Sequence, residues 1–339
     1  MRRAIAGIVC ACLALGAPTA VLAAKRSWAH REIKVVTDRG LMGGNAGTFR
    51  PDAPLTQRAL SDLVMELTDR PPPEPASPAA HATLAGLDQA LVRGLDLADD
   101  ARRFYLEARA TGAKPPARFG SEVVARLIGL RKNHEARFDA LELIPDDVAT
   151  RAEAAYSAAQ ILRFSGWELQ AVEEASLEFE LPVYTPWQRR ILQTAFNLIG
   201  YPYVWGGTSS GEQALFGVSS RGGFDCSGFA WRVYKLHSYS DGKALSTTLR
   251  GRTAAQMAGE VPKTRRIAFA SLEPGDLLFF GRGSRRARAA AIDHMGIYAG
   301  GGWMIHSSRY GVALAPVDGW YAERFAWGRR PLAEAGLTA

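Results

Sequence analysis

One cysteine stands at the position in this sequence that is best suited to nucleophilic chemistry. Cys10 and Cys12 lie in a short apolar stretch near the N-terminus, whereas Cys226 follows a glycine-rich loop and begins an apolar helical segment. The N–H groups and partial positive charge at a helix N-terminus stabilise a thiolate and lower the pKa of the thiol. Asp225 can cap this helix if N–H groups hold its carboxylate away from the sulfur. The pattern predicts a reactive thiol, and a buried structural cysteine is the alternative.

A cysteine nucleophile needs a base, and His294 and His306 are the candidates. Both lie in apolar segments that resemble the strands of a hairpin, separated by three glycines at 300–302. With those glycines as the turn, Gly296 lies opposite His306 and the two histidines share one face of the sheet. His294 can then accept the thiol proton of Cys226 while His306 orients its ring, as in nucleophilic acyl transfer.

Other interpretations of these three residues stay open. Two histidines and one cysteine could hold a zinc ion with an open fourth position, although the sequence has no His-Glu-x-x-His or Cys-x-x-Cys motif. Each histidine could also be an ordinary packed or exposed side chain. Two histidines on one strand face, following a cysteine at a helix start, favour catalysis over both alternatives. We therefore expect neither a metal site nor a cofactor.

The composition limits the classes of protein to which the chain can belong. It has 339 residues, 47% hydrophobic and 22% charged, which predicts two globular domains and excludes a disordered chain or a polytopic membrane protein. The net charge of +7 favours acidic surroundings such as anionic wall polymers. Because the positive charge is spread along the chain without interleaved aromatic residues, we do not expect nucleic-acid binding.

The N-terminus has the pattern of a secretory signal peptide, which we place at residues 1–24. A basic start precedes an apolar stretch over 4–16 that is shorter than the roughly 20 residues of a membrane span. Small residues over 21–24 then form a cleavage pattern. We expect an exported protein, secreted or held in the cell wall, without stable membrane insertion after cleavage. An uncleaved anchor is the alternative.

Composition changes divide the rest of the chain into three parts. Residues 25–165 predict a mainly helical region, in which 84–110 and 120–130 are expected to be helical. Residues 166–186 include two prolines and are interpreted as a linker. Residues 187–330 contain the cysteine and both candidate bases and predict a second domain.

Two helices of the first region begin with related motifs. Thr56 is expected to cap one helix and Thr150 another, with Glu153 completing a capping box. The four residues from Thr150 to Glu153 are Thr-Arg-Ala-Glu, and a Pro-Asp pair precedes them. On these motifs the region resembles S-layer homology modules, well over about 33–68 and in part over 140–163. The resemblance implies binding of an anionic wall polymer, and a generic helical domain is the alternative.

Five motifs in the second domain follow, in order and spacing, the pattern of NlpC-type cell-wall cysteine peptidases. The matching stretches are Tyr203–Gly207, Phe224–Gly228, Leu272–Phe280, His294–Tyr298 and Met304–His306. The resemblance implies an α+β fold with a papain-like catalytic domain, in which the helix that carries the cysteine packs on an antiparallel sheet that carries the histidines. The mainly helical, S-layer-homology-like region would precede it.

The resemblance also implies roles for the residues at the matching positions. Cys226 would be the nucleophile, His294 the base and His306 the third, polar member of the site. Three further positions would line the site and contact the peptide amine: Tyr203, Asp225 and Ser227. Because the family typically cleaves the γ-D-glutamyl–diaminopimelate bond, peptidoglycan stem peptides are the expected substrates.

Other functions on the same scaffold are an N-acetylmuramoyl-L-alanine amidase, an acyltransferase and a non-catalytic wall-binding protein. Two loops depart from the family pattern. The loop 208–223 is longer than usual, and the loop 281–291 carries four arginines. These arginines could contact anionic groups of the substrate or form an ordinary solvated loop.

Overall fold

The computed structural model describes residues 27–337. The predicted signal peptide, residues 1–24, lies outside the described residues. Within 27–337, no helix combines the length and the hydropathy that crossing a membrane requires. A helical N-terminal part is followed by a part with mixed helices and antiparallel sheets, which confirms the predicted α+β class.

Helices form the N-terminal part, and threonine begins three of them. Thr56, Thr83 and Thr150 each accept a hydrogen bond from the backbone N–H three residues later. Each threonine thereby satisfies a donor that a helix start leaves unpaired. The helices are α1 (His30–Asp38), α2 (Gln57–Thr68), α3 (Leu84–Gly94), α4 (Ala98–Ala110), α5 (Phe119–Leu127), α6 (Arg151–Ile161) and α7 (Trp167–Glu178).

The extended segments before α2, α3 and α6 hydrogen-bond to one another in a closed triangle. The N–H of Leu55 donates to the carbonyl of Ala149 at 2.8 Å, that of Ala149 to Ala82 at 2.9 Å, and that of Ala82 to Leu55 at 2.8 Å. All three residues are buried. The region therefore contains a third unit of the loop-and-helix type, beginning at Thr83, in addition to the two that the sequence motifs indicated.

One local expectation for this region is wrong. Glu153 does not complete a capping box, because its carboxylate is buried and faces the guanidinium of Arg131 at 3.5 Å. The stretch 84–110 is helical as expected, and it consists of two helices, α3 and α4, that are separated around Asp96. Asp96 has a φ of 67°, in the left-handed region that a right-handed helix cannot include.

Residues 166–186, which we interpreted as a linker, contain the 12-residue helix α7. Its Ser176 hydroxyl donates to the buried carboxylate of Asp100 in α4 at 2.7 Å. The helical region also contacts the C-terminal part, since the guanidinium of Arg126 in α5 donates to the carbonyl of Gly200 at 2.5 Å. The two parts of the chain are therefore joined by packed structure.

The long loop at 208–223 folds into two small antiparallel pairs, β1 with β4 and β2 with β3. These strands are β1 (Thr208–Ser209), β2 (Gln213–Leu215), β3 (Val218–Ser220) and β4 (Gly223–Phe224). The remaining helices surround a larger sheet. They are α8 (Pro186–Asn197), α9 (Cys226–Trp231), α10 (Leu245–Thr248), α11 (Ala254–Gly259), α12 (Gly319–Arg324) and α13 (Pro331–Glu334).

A five-stranded antiparallel sheet forms the centre of the C-terminal part. Its strands are β5 (Leu277–Gly281), β6 (Ile292–Gly300), β7 (Trp303–Ser308), β8 (Gly311–Pro316) and β9 (Phe325–Arg329). They are arranged in the order β8-β7-β6-β5-β9. Helix α9, which carries the cysteine, packs against β6 and β7, which carry the histidines. The predicted helix-on-sheet arrangement is confirmed.

The hairpin of β6 and β7 has the predicted register around the histidines. The pairing of Ile297 with Ile305 places Gly296 opposite His306. A Cβ on Gly296 would lie 3.1 Å from the Cβ of His306, so the glycine makes room for the ring. The turn itself differs from the expectation, because Gly300 still pairs across the strands and a bulge precedes it. Two glycines, not three, form the turn.

Candidate active site

Cys226 is the first residue of α9, and Asp225 caps this helix as predicted. The Asp225 carboxylate accepts hydrogen bonds from the N–H of Gly228 at 2.5 Å and of Gly206 at 3.0 Å. No larger residue fits at Gly228 without a shift, because a Cβ there would lie 1.9 Å from the carbonyl oxygen of Gly207. This local packing fixes the sulfur at the point where the loop meets the helix.

Arg252 supports the same turn and was missed by the sequence analysis. Its guanidinium donates to both carboxylate oxygens of Asp225 at 3.1 Å, and to the hydroxyl of Ser227 at 2.7 Å. The planar fork of five donors makes arginine suited to such a site. The contact joins positions 27 residues apart. No local motif around Arg252 could have indicated it.

The pKa of Cys226 shifts in the direction opposite to our expectation. Burial and the Asp225 carboxylate raise it to about 12 and outweigh the backbone N–H groups of Ser227 and Met295, which lower it. The cost of desolvating a thiolate exceeds what the helix N-terminus supplies. The thiol is therefore neutral in the free site. The backbone N–H of Met295 lies beside the Cys226 sulfur. Because Met295 directly follows His294, this part of β6 is next to the thiol.

His294 and His306 hydrogen-bond to each other through their rings, with 2.8 Å between Nε2 of His294 and Nδ1 of His306. Burial lowers the pKa of His294 to about 4, although the neighbouring Asp293 opposes this. Burial and the ring of His294 lower the pKa of His306 well below its usual value. Both rings are neutral at pH 7. We assign the shared proton to Nε2 of His294, which leaves its Nδ1 free to accept a proton.

The contact between the two rings argues against the zinc alternative. Two nitrogens bound to one tetrahedral zinc ion lie roughly 3.3 Å apart, whereas these lie 2.8 Å apart and share a proton. Tyr321 of α12, which the sequence analysis missed, packs against both rings at centroid distances of 5.8 Å and 5.1 Å. Its ring helps to exclude water from the pair.

The site opens into a cleft of about 930 Å³ between the two parts of the chain. This volume lies within the roughly 300–1,000 Å³ of ligand pockets. Cys226, His294 and Tyr203 line the cleft from the C-terminal part. The helical region contributes residues between 133 and 139 to the lining of the cleft. The catalytic surface is therefore built from both parts of the chain.

Of the three residues predicted to contact the substrate, Tyr203 lines the cleft and Asp225 and Ser227 do not. The Asp225 carboxylate accepts five hydrogen bonds, from two backbone N–H groups, the Ser227 hydroxyl and two nitrogens of Arg252. These donors occupy the roughly four lone-pair sites of a carboxylate. The geometry gives Asp225 and Ser227 a positioning role beneath Cys226, and their contact with a substrate stays a prediction.

Asp139 is the carboxylate of the cleft that has no ion-pair partner among residues 27–337. The other two, Glu135 and Asp293, each lie within 2.8 Å of an arginine nitrogen. Asp139 accepts a hydrogen bond from the backbone of Trp205, and burial raises the pKa of Asp139 to about 6. A buried carboxylate in a cleft without a cation beside it is suited to a positively charged ligand group.

The arginines of the loop 281–291 do not contribute to the cleft. All four are exposed, and none of them lines it: Arg282, Arg285, Arg286 and Arg288. This placement favours the interpretation of a solvated loop.

Two segments of the chain match known protein families. Residues 200–330 match the NlpC/P60 family, and residues 24–58 match the S-layer homology domain. The chain is 33% identical over 125 residues to the gamma-D-glutamyl-L-lysine dipeptidyl-peptidase of Bacillus subtilis, covering 37% of this chain and 33% of that protein. It is 34% identical over 139 residues to the probable endopeptidase YafL of Escherichia coli, covering 40% and 47%.

Among solved structures, the crystal structure of an NlpC/P60 family protein from Bacillus cereus matches with 28% identity and a TM-score of 0.33. The match covers 46% of this chain and 43% of that one. The chain thus spans less than half the length of each relative named here. The chain therefore resembles the NlpC/P60 family over residues 200–330 and the S-layer homology domain over residues 24–58.

Proposed function

We propose that the chain is an exported peptidoglycan hydrolase that cleaves the γ-D-glutamyl–diaminopimelate bond of stem peptides with Cys226 as nucleophile. One observation carries the proposal: Cys226 on α9 and His294 on the adjoining strand β6 line the same cleft, and the ring of His294 is held by His306. The names of the relatives, a γ-D-glutamyl-L-lysine dipeptidyl-peptidase and a probable endopeptidase, support this class of bond.

The reaction begins from a neutral thiol and a neutral imidazole. As the sulfur of Cys226 bonds to the peptide carbonyl carbon, the thiol proton passes to Nδ1 of His294. Backbone N–H at the start of α9 meets the oxyanion. His294 then gives its proton to the leaving amine, which departs and leaves a thioester. Water attacks the thioester, passes a proton to His294, and releases the acid as the thiol is restored.

Asp139 extends the proposal to the recognition of the substrate. A stem peptide attached to its glycan has an acylated N-terminus, so its ammonium group is the side chain of the diamino acid that follows D-glutamate. Because the Asp225 carboxylate is already occupied, Asp139 is the carboxylate that can pair with this ammonium. Asp139, which belongs to the helical region, would thus select stem peptides that contain a diamino acid.

Replacing Asp139 with asparagine is expected to raise KM for such a peptide by about tenfold or more, because a hydrogen bond to a charged group contributes roughly 1.5–3 kcal/mol. We expect kcat to change little. The measurement compares KM for a peptide with a free side-chain amine and for one whose side-chain amine is acetylated. For the acetylated peptide, the variant should have the same KM as the unmodified chain. Glu135→Gln, in the same wall but paired with arginine, is the control. An equal KM change for both peptides would contradict the assignment.

The pH dependence separates the two titrating groups of the cleft. His294 must be neutral to accept a proton, and its pKa is about 4, so kcat/KM of Asp139→Asn should rise through about pH 4 and then stay level. The unmodified chain should lose additional kcat/KM as the pH falls through about 6, where Asp139 becomes protonated and can no longer attract an ammonium. If kcat/KM of the Asp139→Asn variant instead fell as the pH dropped through about 6.5, this would contradict a reaction that begins from a neutral Cys226 thiol and a neutral His294 imidazole.

The products of digestion distinguish the proposed activity from the other functions of this scaffold. The endopeptidase leaves new L-alanyl-D-glutamate ends, whereas an amidase frees the lactyl group of the sugar. An acyltransferase joins the acyl group to a second amine, and a non-catalytic binding protein releases nothing. Mass spectrometry of digested peptidoglycan therefore decides among the four.

We further propose that the helical region holds the enzyme on an anionic wall polymer. The S-layer homology match at 24–58 and the positive net charge support this. Because α4, α5 and α7 pack within the rest of the fold, the whole chain with Cys226→Ala is the proper probe, not a truncation. It should sediment with purified walls and lose this binding when the anionic polymer is chemically stripped. Equal sedimentation with stripped walls would contradict the proposal.

A further inference from the structure

A second groove, of about 840 Å³, lies beside the catalytic cleft. Helices α6 and α7 form one wall, and the turns that follow β6, β7 and β8 form the other. Tyr310, in the turn between β7 and β8, lines both the second groove and the catalytic cleft. The two spaces therefore adjoin, and an elongated substrate could occupy both.

The second groove presents aromatic side chains to solvent. Trp167, the first residue of α7, is 66% exposed, and Tyr156 and Phe164 are partly exposed along the same wall. An exposed tryptophan in a concave surface marks a site of interaction, because its ring gives a large contact area at little cost in conformational entropy. Flat aromatic rings of this kind pack against the C–H faces of sugars.

The charge of the second groove excludes the anionic ligands of the cell wall. Arg163 supplies one guanidinium. Four carboxylates oppose it: Glu168, Glu174, Glu178 and Asp318. Although the whole chain has a net charge of +7, this surface repels anionic polymers and free carboxylates. A neutral ligand rich in hydroxyl and amide groups can instead hydrogen-bond to these carboxylates.

Two glycines keep the backbone of the second groove accessible. Neither Gly129, after α5, nor Gly302, in the turn after β6, would bring a Cβ within 4 Å of another residue. Both line the groove. The space above these glycines is therefore open to a ligand.

We propose that the second groove binds the glycan strand of peptidoglycan while the attached stem peptide occupies the catalytic cleft. The sugars of this strand are neutral where a stem peptide is attached. Two residues, spanning about 7 Å when extended, separate the sugar from the scissile bond, so the glycan has to lie next to the cleft. This inference rests on the proposed function, because it takes the occupant of the cleft to be a stem peptide.

The test measures glycan binding without catalysis. Chitotetraose, a neutral tetramer of N-acetylglucosamine, is titrated into the full chain carrying Cys226→Ala and followed by calorimetry. Trp167→Ala in the same background should weaken binding by about tenfold or more, since its exposed ring offers a large flat apolar contact. Leu177→Ala removes a residue of the same helix that is 64% exposed but outside the groove, and it should bind like the parent chain.

The outcomes separate this inference from the proposed function. Absence of chitotetraose binding at millimolar concentration, or equal binding by Trp167→Ala, overturns the inference even if the active chain cleaves stem peptides. Trp167-dependent binding supports it even if no stem peptide is cleaved. Binding of a sugar-free stem peptide that depends on Trp167 would also overturn it, because the groove would then be a peptide site.

Discussion

Replacing Cys226 with alanine is expected to lower the rate of stem-peptide cleavage by on the order of 10⁴-fold or more while the chain stays folded. In the proposed reaction the Cys226 sulfur is the atom that bonds to the carbonyl carbon. Its removal therefore leaves that step without a nucleophile. The helix should survive, since Asp225 caps α9 through Gly228 and the thiol makes no part of that cap. The measurement is the initial rate on a defined muropeptide, with circular dichroism and thermal unfolding as checks on the fold.

A second variant makes this result specific to nucleophilicity. Cys226→Ser keeps a hydroxyl near the position of the sulfur and should also be nearly inactive, because a hydroxyl is harder to deprotonate and His294 is a weak base at a pKa of about 4. Undiminished turnover by Cys226→Ala would reject the mechanism. Loss of activity together with loss of the thermal transition would instead show that Cys226→Ala does not fold. The activity of the folded Cys226→Ser variant would then decide whether the sulfur is the nucleophile.

The second large effect is expected at Arg252, whose replacement by glutamine should lower the free energy of unfolding by about 2 kcal/mol. Removing one partner of a buried ion pair costs roughly 3–5 kcal/mol. The expected loss is smaller here because the Arg252 side chain is 31% exposed and water screens part of its charge. We also expect kcat/KM to fall by about tenfold or more. The unbalanced Asp225 charge would raise the pKa of the Cys226 thiol further, since Arg252 lowers it in the intact site.

A double variant tests whether the uncompensated charge is the cause. Asp225→Asn combined with Arg252→Gln removes both charges, so it should be more stable than Arg252→Gln alone by about 1 kcal/mol, although it contains one more substitution. Urea unfolding of the single and double variants measures this. Arg250→Gln, at an exposed position nearby, should stay within about 0.5 kcal/mol of the parent. Additive losses in the double variant would show that Asp225 and Arg252 are not coupled.

The sequence by itself determined the parts of the site that depend on neighbouring residues. A helix cap needs an acceptor directly before the helix, so Asp225 was identifiable without the fold. Strand periodicity places alternate residues on one face, and a glycine turn fixes which residues pair, so His294 and His306 could be brought together from spacing. The bulge before Gly300 does not change the pairing of Gly296 with His306, because it lies between that pair and the turn.

The tertiary structure alone decided the charges and the shape of the cleft. Arg252, Asp139 and Tyr321 reach the site from distant segments, and no local pattern records which side chains will meet there. The direction of the Cys226 pKa shift also needed the fold. The helix N-terminus that lowers it is a local feature, whereas the desolvation that raises it comes from all the atoms packed around the sulfur. Long-range packing thus sets both the wall of the cleft and the protonation of the nucleophile.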